Sequence, residues 1–211
     1  MRIYRFPKCV SQIFPNVRWS FPEKQDTVFF TFDDGPHEIY TPQILDLLEE
    51  HNTKATFFLL GEKLKKNKEL VIRMRDSGHS IGIHGYRHDS MLMKSKIIIR
   101  EQIERTKVEL ELLIGKPVQL FRPPYGLFNR AVLKECRQLS LRIVMWSFLT
   151  YDFDIRLSDS YLLKTLQKKL CPGDIITLHD GHINSIRTAR LLPQLIRYIR
   201  SRGFKSSIIE L

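Results

Sequence analysis

Short runs rich in β-branched and aromatic residues alternate along the whole chain with longer segments whose apolar residues recur every three to four positions. VFFTF at 28–32, ATFFLL at 55–60, HSIGI at 79–83, VQLF at 118–121, RIVMWSF at 142–148, DIITL at 174–178 and FKSSIIEL at 204–211 read as strands. The segments 41–52, 62–78, 95–115, 129–139, 158–170 and 185–203 carry the period of helices. Thr41 before Pro42, and Ser158, are placed as N-terminal caps; Gly78, Gly115 and Gly203 are placed as stop signals. Strands and helices that alternate in this way form parallel βαβ units, in either an open doubly wound sheet or a barrel. No glycine-rich phosphate-binding pattern follows any of the strands, which favours the barrel.

A chain of 211 residues with 43% apolar content suffices for one sizeable core and is short for two. One domain is expected, with residues 1–26 as an arm packed on it. Lys plus Arg number 34 against 23 Asp plus Glu, and the net charge of +11 favours anionic partners such as cell-wall polymers or lipid headgroups, or is a solvated basic face. Nucleic acid is disfavoured as a partner, because the cations are spread along the chain and no helix-turn-helix, RNP-like or zinc-finger pattern occurs. Cys9, Cys136 and Cys171 are odd in number and far apart, as suits free thiols in a reducing compartment. Residues 1–22 hold no apolar run of the length a signal peptide or membrane span needs, so a cytoplasmic location is expected. Their mixture of cations with Tyr, Phe, Ile and Trp fits a docked arm or a peripheral membrane contact.

The unusual polar residues gather at the C-terminal ends of the expected strands: Asp33 and Asp34, His84 and His88, Arg122 with Pro123, Pro124 and Tyr125, Asp152, and His179 with Asp180. Parallel strands deliver those ends to one face, where the catalytic groups of a barrel collect. The spacing of His84 and His88 suits two imidazoles on one metal, or two surface or capping histidines. Gly85 stands where a metalloprotease H-E-x-x-H pattern needs its glutamate, so a base must come from elsewhere. Asp33 and Asp34 are a source of both a ligand and a base, since two carboxylates this close resist joint ionisation unless a cation is near. The alternative for Asp-Asp-Gly-Pro is a plain turn.

Two histidines and one carboxylate leave positions on a metal open for water and substrate, which points to hydrolysis. His179 is either a general acid or a core histidine satisfied by Asp180. Arg122 pairs with a carboxylate, Asp33 or Asp152, in a catalytic or a structural role. The turn from Pro123 to Gly126 offers backbone N–H groups to an oxyanion. Trp146 and Met145 read as core; His37, His51, His79 and His182 stay unassigned, His182 being near His179.

These residues resemble the polysaccharide deacetylases, the NodB homology family or carbohydrate esterase family four. The resemblance runs from about Thr27 to Leu211 and rests on TFDDGP at 31–36, the histidine pair in IGIHGYRH, RPPYG at 122–126, WSFLTYDF at 146–153 and TLHD at 177–180, in the family's order; ATFFLLGE at 55–62 matches another of its strands. It implies a distorted, incomplete (β/α) barrel of about seven parallel strands, TIM-barrel-related, spanning 27–211. It also implies one divalent metal, zinc, with cobalt or nickel sometimes accepted, held by Asp34, His84 and His88. Asp33 would be the base, oriented by Arg122; the N–H of Tyr125 would meet the oxyanion; His179 would be the acid, supported by Asp152; Pro124, Phe153, Thr177 and Leu178 would contact substrate. The chain departs from the family at Gly85, where a small hydroxyl residue is usual, at Arg87 for a serine, and at Phe153 for a tryptophan and Thr177 for an apolar residue, both of which would border the acyl pocket.

The expected activity is removal of N-acetyl groups from N-acetylglucosamine-containing glycans such as peptidoglycan or a chitooligosaccharide. The variants are a deacylase or deformylase of a lipid-linked amino sugar at the cytoplasmic membrane face and an O-acetyl esterase. A glycan-binding module without turnover is the alternative of another class.

Overall fold

The computed structural model describes residues 4–5 and 8–210. The expectations for residues 1–3, 6–7 and 211, at the start of the arm and the end of the last strand, lie outside these. In chain order the elements are α1 (Lys8–Ile13), β1 (Val17–Arg18), β2 (Thr27–Gly35), α2 (Tyr40–Glu50), β3 (Thr56–Leu59), α3 (Gly61–Leu64), α4 (Lys68–Asp76), β4 (Ser80–Ile83), α5 (Lys96–Ile114), β5 (Leu120–Phe121), α6 (Arg130–Gln138), β6 (Arg142–Val144), β7 (Phe148–Leu149), α7 (Asp159–Lys169), β8 (Ile175–His179), α8 (Ser185–Ser201) and β9 (Lys205–Ser206). A 3-10 turn covers Pro124–Gly126.

The strands form one sheet in the order β1-β6-β5-β4-β3-β2-β8-β7, with β9 beside the start of β2, and each of these pairings is parallel. Only Met145–Ser147 separate β6 from β7, although these strands lie near opposite ends of the order. Four residue steps reach at most about 14 Å, so the sheet must curl until its edges approach. The result is the incomplete β/α barrel expected from the family resemblance. Strands β2 and β3 are buried on both faces, as a sheet covered by helices outside and filled with side chains inside requires. Phe30, Phe32, Phe57, Phe58 and Phe121 are among the largest wholly buried side chains.

The boundaries differ from the sequence reading in a few places. RIVMWSF breaks into β6 and β7, because the carbonyls of Val144 and Met145 are taken by the Arg122 guanidinium at 3.1 and 2.8 Å. The helix expected at 62–78 divides at Asn67, whose side-chain amide donates to the Lys63 carbonyl at 2.9 Å. The strand expected from 204 narrows to β9; farther on, the Ile209 N–H turns to the Thr56 hydroxyl at 2.9 Å. Thr41 lies inside α2 and is not its cap: its hydroxyl accepts from the His37 N–H at 2.8 Å and donates to Asp180 at 2.6 Å. Ser158 does cap α7, accepting from the Tyr161 N–H, and Gly115 closes α5 in the left-handed conformation. Among the described residues no helix is long and apolar enough to cross a membrane.

Candidate active site

The end of β2 carries two aspartates with different surroundings. Asp33 is buried, and its Oδ1 accepts from Arg122 at 2.7 Å. Asp34 follows in the left-handed region at φ +73°, which turns its carboxylate away from that arginine. Lys63 ties the Asp34 carbonyl to that of Gly181, donating to each at 2.8 Å. Gly35 then passes so close to Asp180 that a Cβ there would lie 2.3 Å from a carboxylate oxygen, so only glycine fits.

His84 follows β4, with Gly85 next at φ +87° turning the chain back so that His88 returns to the same place. The ring of His84 donates from Nδ1 to the Arg122 carbonyl at 2.7 Å, which leaves its Nε2 as an acceptor. That Nε2 and the one on His88 lie 3.4 and 3.3 Å from Asp34 Oδ1, which is buried and has no hydrogen-bond partner. The three ligand atoms fall within 4.8 Å of one another. Lone pairs converging on one buried point repel unless a cation lies between them, so the donor set fits a divalent metal. Burial opposes ionisation of Asp34, but His84, His179 and His88 hold its carboxyl well below the usual carboxylate range. Burial also lowers His88, which favours the neutral ring that a metal needs.

Arg122 lies wholly buried behind this pair, and its NH1 meets Thr31 at 2.7 Å and Thr177 at 3.2 Å as well as Asp33. Across the site, Asp152 receives the His179 ring Nδ1 and the His179 backbone N–H, each at 2.8 Å. Thr188 and Thr150 donate to the same carboxylate at 2.5 and 2.9 Å. Burial alone would depress His179, but Asp152 outweighs it and the pKa rises to about 9. His179 is therefore not satisfied by Asp180. Asp180 is bonded by Thr41 and pushed up to about 7, chiefly by burial.

These groups open on one cavity of 510 Å³, whose wall includes Asp33, Asp34, His84, His88, Tyr125, Trp146, Phe153, Thr177, His179 and His182. Tyr125 has φ +58°, and the N–H groups of Gly126 and Leu127 are used by the carbonyls of Pro123 and Pro124. Phe153 sets its ring edge against His179 at 5.0 Å. Two expected substrate contacts are not on the wall. Leu178 is wholly buried because β8 alternates, so Thr177 and His179 face the cavity and Leu178 faces away; Pro124 is buried within its turn. Trp146, expected in the core, is buried but also borders the cavity. Arg122 and Asp152 stand one layer behind.

Sequence reasoning missed Thr31, Thr150, Thr188 and Lys63. Thr31 could have been found from strand alternation, being two residues before Asp33; nothing local marks Lys63 or Thr188.

The family model of the polysaccharide deacetylases matches residues 21–144. A peptidoglycan-N-acetylmuramic acid deacetylase of Bacillus subtilis is 33% identical over 190 residues, covering 89% of this chain and 71% of that one. The solved structure of a peptidoglycan N-acetylglucosamine deacetylase bound to an N-hydroxybenzamide compound superposes with a TM-score of 0.89 at 31% identity, covering 97% of this chain and 95% of its own. A CE4 family pseudoenzyme from Bacillus anthracis superposes at 0.82 with 30% identity, covering 90% and 66%.

Proposed function

The chain belongs to the polysaccharide deacetylase family, and on that premise we propose that it hydrolyses the N-acetyl amide of an N-acetylated amino sugar in a glycan. It is a hydrolase of carbon–nitrogen bonds other than peptide bonds. In this reading 27–211 is the catalytic domain and 1–26 an arm on it, which the burial of Trp19 and Phe21 supports.

Asp34, His84 and His88 would hold one divalent cation. Zinc suits two imidazoles and one carboxylate best, with cobalt or nickel as substitutes. Held there, it would supply Lewis-acid polarisation of the acyl carbonyl and acidify water beside it. Asp33, oriented by Arg122, takes the proton from the attacking water. The Tyr125 N–H donates to the oxygen on which negative charge develops. His179, protonated and held through Nδ1 by Asp152, gives a proton to the departing amine. Phe153, Thr177 and Trp146 bound the space for the acyl group.

The observation that carries this reading is that both aspartates and the three histidines share one cavity wall. The test is to strip the protein with a chelator, restore zinc or cobalt, and follow acetate release from chitooligosaccharides by the wild type, Asp33→Asn and His84→Ala. Metal-dependent release lost in both variants supports the mechanism. Metal binding without release would instead favour the alternative of a glycan-binding module, and one of the solved structures similar to this chain is a CE4 family pseudoenzyme.

A further inference from the structure

Tyr4 and Arg5, in the arm, reach the strand that leads into the active site. Strand β7 ends the order of the sheet, with β8 on one side of it. On its other side Arg5 forms an antiparallel bridge to Phe148, and the Leu149 N–H donates to the Tyr4 carbonyl at 2.9 Å. The Arg5 guanidinium secures this segment: it donates to the Lys169 carbonyl at 3.2 Å and pairs with the buried carboxylate of Asp174. Asp174 in turn accepts from the Ser147 hydroxyl at 2.7 Å, one residue before β7. The Tyr4 side chain is buried. Backbone pairing along an edge strand fixes where that strand runs and how its residues are aimed.

The residues that follow from β7 build one side of the cavity. Leu149 borders it, Asp152 grips His179, and Phe153 stands on its wall perpendicular to the His179 ring at 5.0 Å. The backbone here is tied from the side of α8, where Asn184 donates to the Phe153 carbonyl at 3.0 Å and Arg187 to the Asp154 carbonyl at 2.8 Å. Those bonds hold the main chain and leave the Phe153 ring, 37% exposed, to be placed by its neighbours. Among the described residues its ring neighbours are His179 and, at 5.8 Å, Tyr151. Tyr151 has φ +59°, a region that residues with a side chain seldom occupy, and its ring meets that of Tyr4 in a T-shaped contact at 5.0 Å. Tyr4, Tyr151, Phe153 and His179 thus form one row of rings from the arm to the cavity, each at a separation where aromatic edges and faces attract. Close-packed side chains pass a displacement on, since little empty space is there to absorb it.

We infer that Tyr4 is a positioning residue of the active site: its carbonyl holds Leu149, and its ring, through Tyr151, seats Phe153 against His179. The arm is then part of how the site is built, besides covering the edge of the barrel. The inference rests on the deacetylase reading for the roles of Phe153 and His179, whereas the row of contacts is independent of turnover.

The test is a double-mutant cycle on the full chain loaded with zinc, in which Tyr4→Ala is made in the wild type and in Phe153→Ala. For acetate release from chitooligosaccharides, Tyr4→Ala alone should lower kcat/KM by about 10–100-fold, the size expected when a distant change displaces reacting groups. In the Phe153→Ala background the same substitution should cost no more than about twofold, because the ring it seats is gone. Tyr4→Phe keeps the ring and should restore most of the rate. Zinc affinity should be unchanged, since Asp34, His84 and His88 are carried by the ends of β2 and β4. Equal losses in both backgrounds would overturn the inference and leave Tyr4 a core residue only. A Tyr4→Ala protein as active as the wild type, or one whose zinc affinity falls in step with its rate, would overturn it too. Tyr4→Leu refills the volume without a ring and carries the same expectations if the alanine variant does not fold. A second readout needs no turnover: the ring-nitrogen resonances of His179, identified by their absence from His179→Gln, should move in Tyr4→Leu and return in Tyr4→Phe, while those of buried His79 stay in place. Unmoved His179 resonances would defeat the inference whether or not the protein is active. Moved resonances in a protein that releases no acetate from any acetylated sugar would keep the positioning and defeat the deacetylase reading.

Discussion

Asp152 grips His179 at two points, its Oδ1 accepting from the ring Nδ1 and its Oδ2 from the backbone N–H, each at 2.8 Å. The ring can then neither rotate nor lose its Nδ1 proton without breaking a buried bond. Because the His179 pKa stands near 9, a general acid here is loaded at neutral pH and empties as pH rises through that value. The kcat/KM profile should therefore fall on its alkaline side near pH 9. Asp152→Asn removes the main group that raises the pKa, so the alkaline limb should move toward neutrality and the rate drop by about 10²–10⁴. The pair also contributes stability that is present below the unfolded value of 6.5 and lost as pH rises through about 9. A variant whose limb stays in place would remove His179 from the reaction.

Arg122 gathers acceptors from several strands. Its guanidinium bonds Asp33, Thr31, Thr177 and the carbonyls of Val144 and Met145 from a fully buried position. Arg122→Met should leave the Asp33 carboxylate buried without its counter-ion, a loss of about 3–5 kcal/mol in denaturant unfolding. Arg122→Lys should recover little, since an ammonium cannot span the fork.

The two adjacent aspartates should separate in a binding experiment. Zinc at about a hundredfold over its Kd should stabilise the wild type by about 2.7 kcal/mol, read as a rise in Tm. Asp34→Asn and His84→Ala should lose that rise. Asp33→Asn should keep it, because the Asp33 carboxylate is turned toward Arg122, and should still lose turnover. A reversed metal response in the two aspartate variants would mean that ligand and base have been exchanged, and an equal response would overturn their separate roles.

Lys63 holds Asp34 in its left-handed conformation by clamping the Asp34 and Gly181 carbonyls together. Groups that position a metal ligand typically change affinity by about 10–100-fold when removed. Lys63→Met should weaken zinc binding by that factor in a competition titration while the fold, judged by circular dichroism, is retained.

Strand positions and the polar residues at their ends were legible because both are local: a strand shows as a β-branched run, and a candidate Asp or His stands at its end. DIITL followed by His179 is one such case. The partners of those residues were not legible, because they are set by where strands and helices meet. Thr188 reaches Asp152 from α8, and Lys63 reaches Asp34 from α3, across separations no periodicity reports. RIVMWSF was read as one strand for a related reason: the break at Met145 is imposed by Arg122, 23 residues earlier. Adjacency to His179 suggests Leu178 as a substrate contact, whereas alternation along the strand buries it on the face away from the cavity.

His79 supplies a test of stability independent of the site. Its Nδ1 accepts from the Ala55 N–H at 3.2 Å, in a buried setting with Phe57 edge-on at 5.3 Å. Burial, aided by Lys54 and Arg73, depresses its pKa from 6.5 to about 4. Between these values the unfolded chain binds a proton that the folded chain refuses, so stability must fall as pH drops from 6.5 toward 4, by on the order of 3 kcal/mol in full. Asparagine at this position places a carbonyl oxygen where Nδ1 accepts and cannot titrate. His79→Asn should therefore be less stable than wild type at pH 7.5 through lost packing, yet lose less further stability than wild type on acidification to pH 4.5. Parallel losses in the two proteins, measured by urea unfolding across that range, would assign the acid sensitivity to the carboxylates instead.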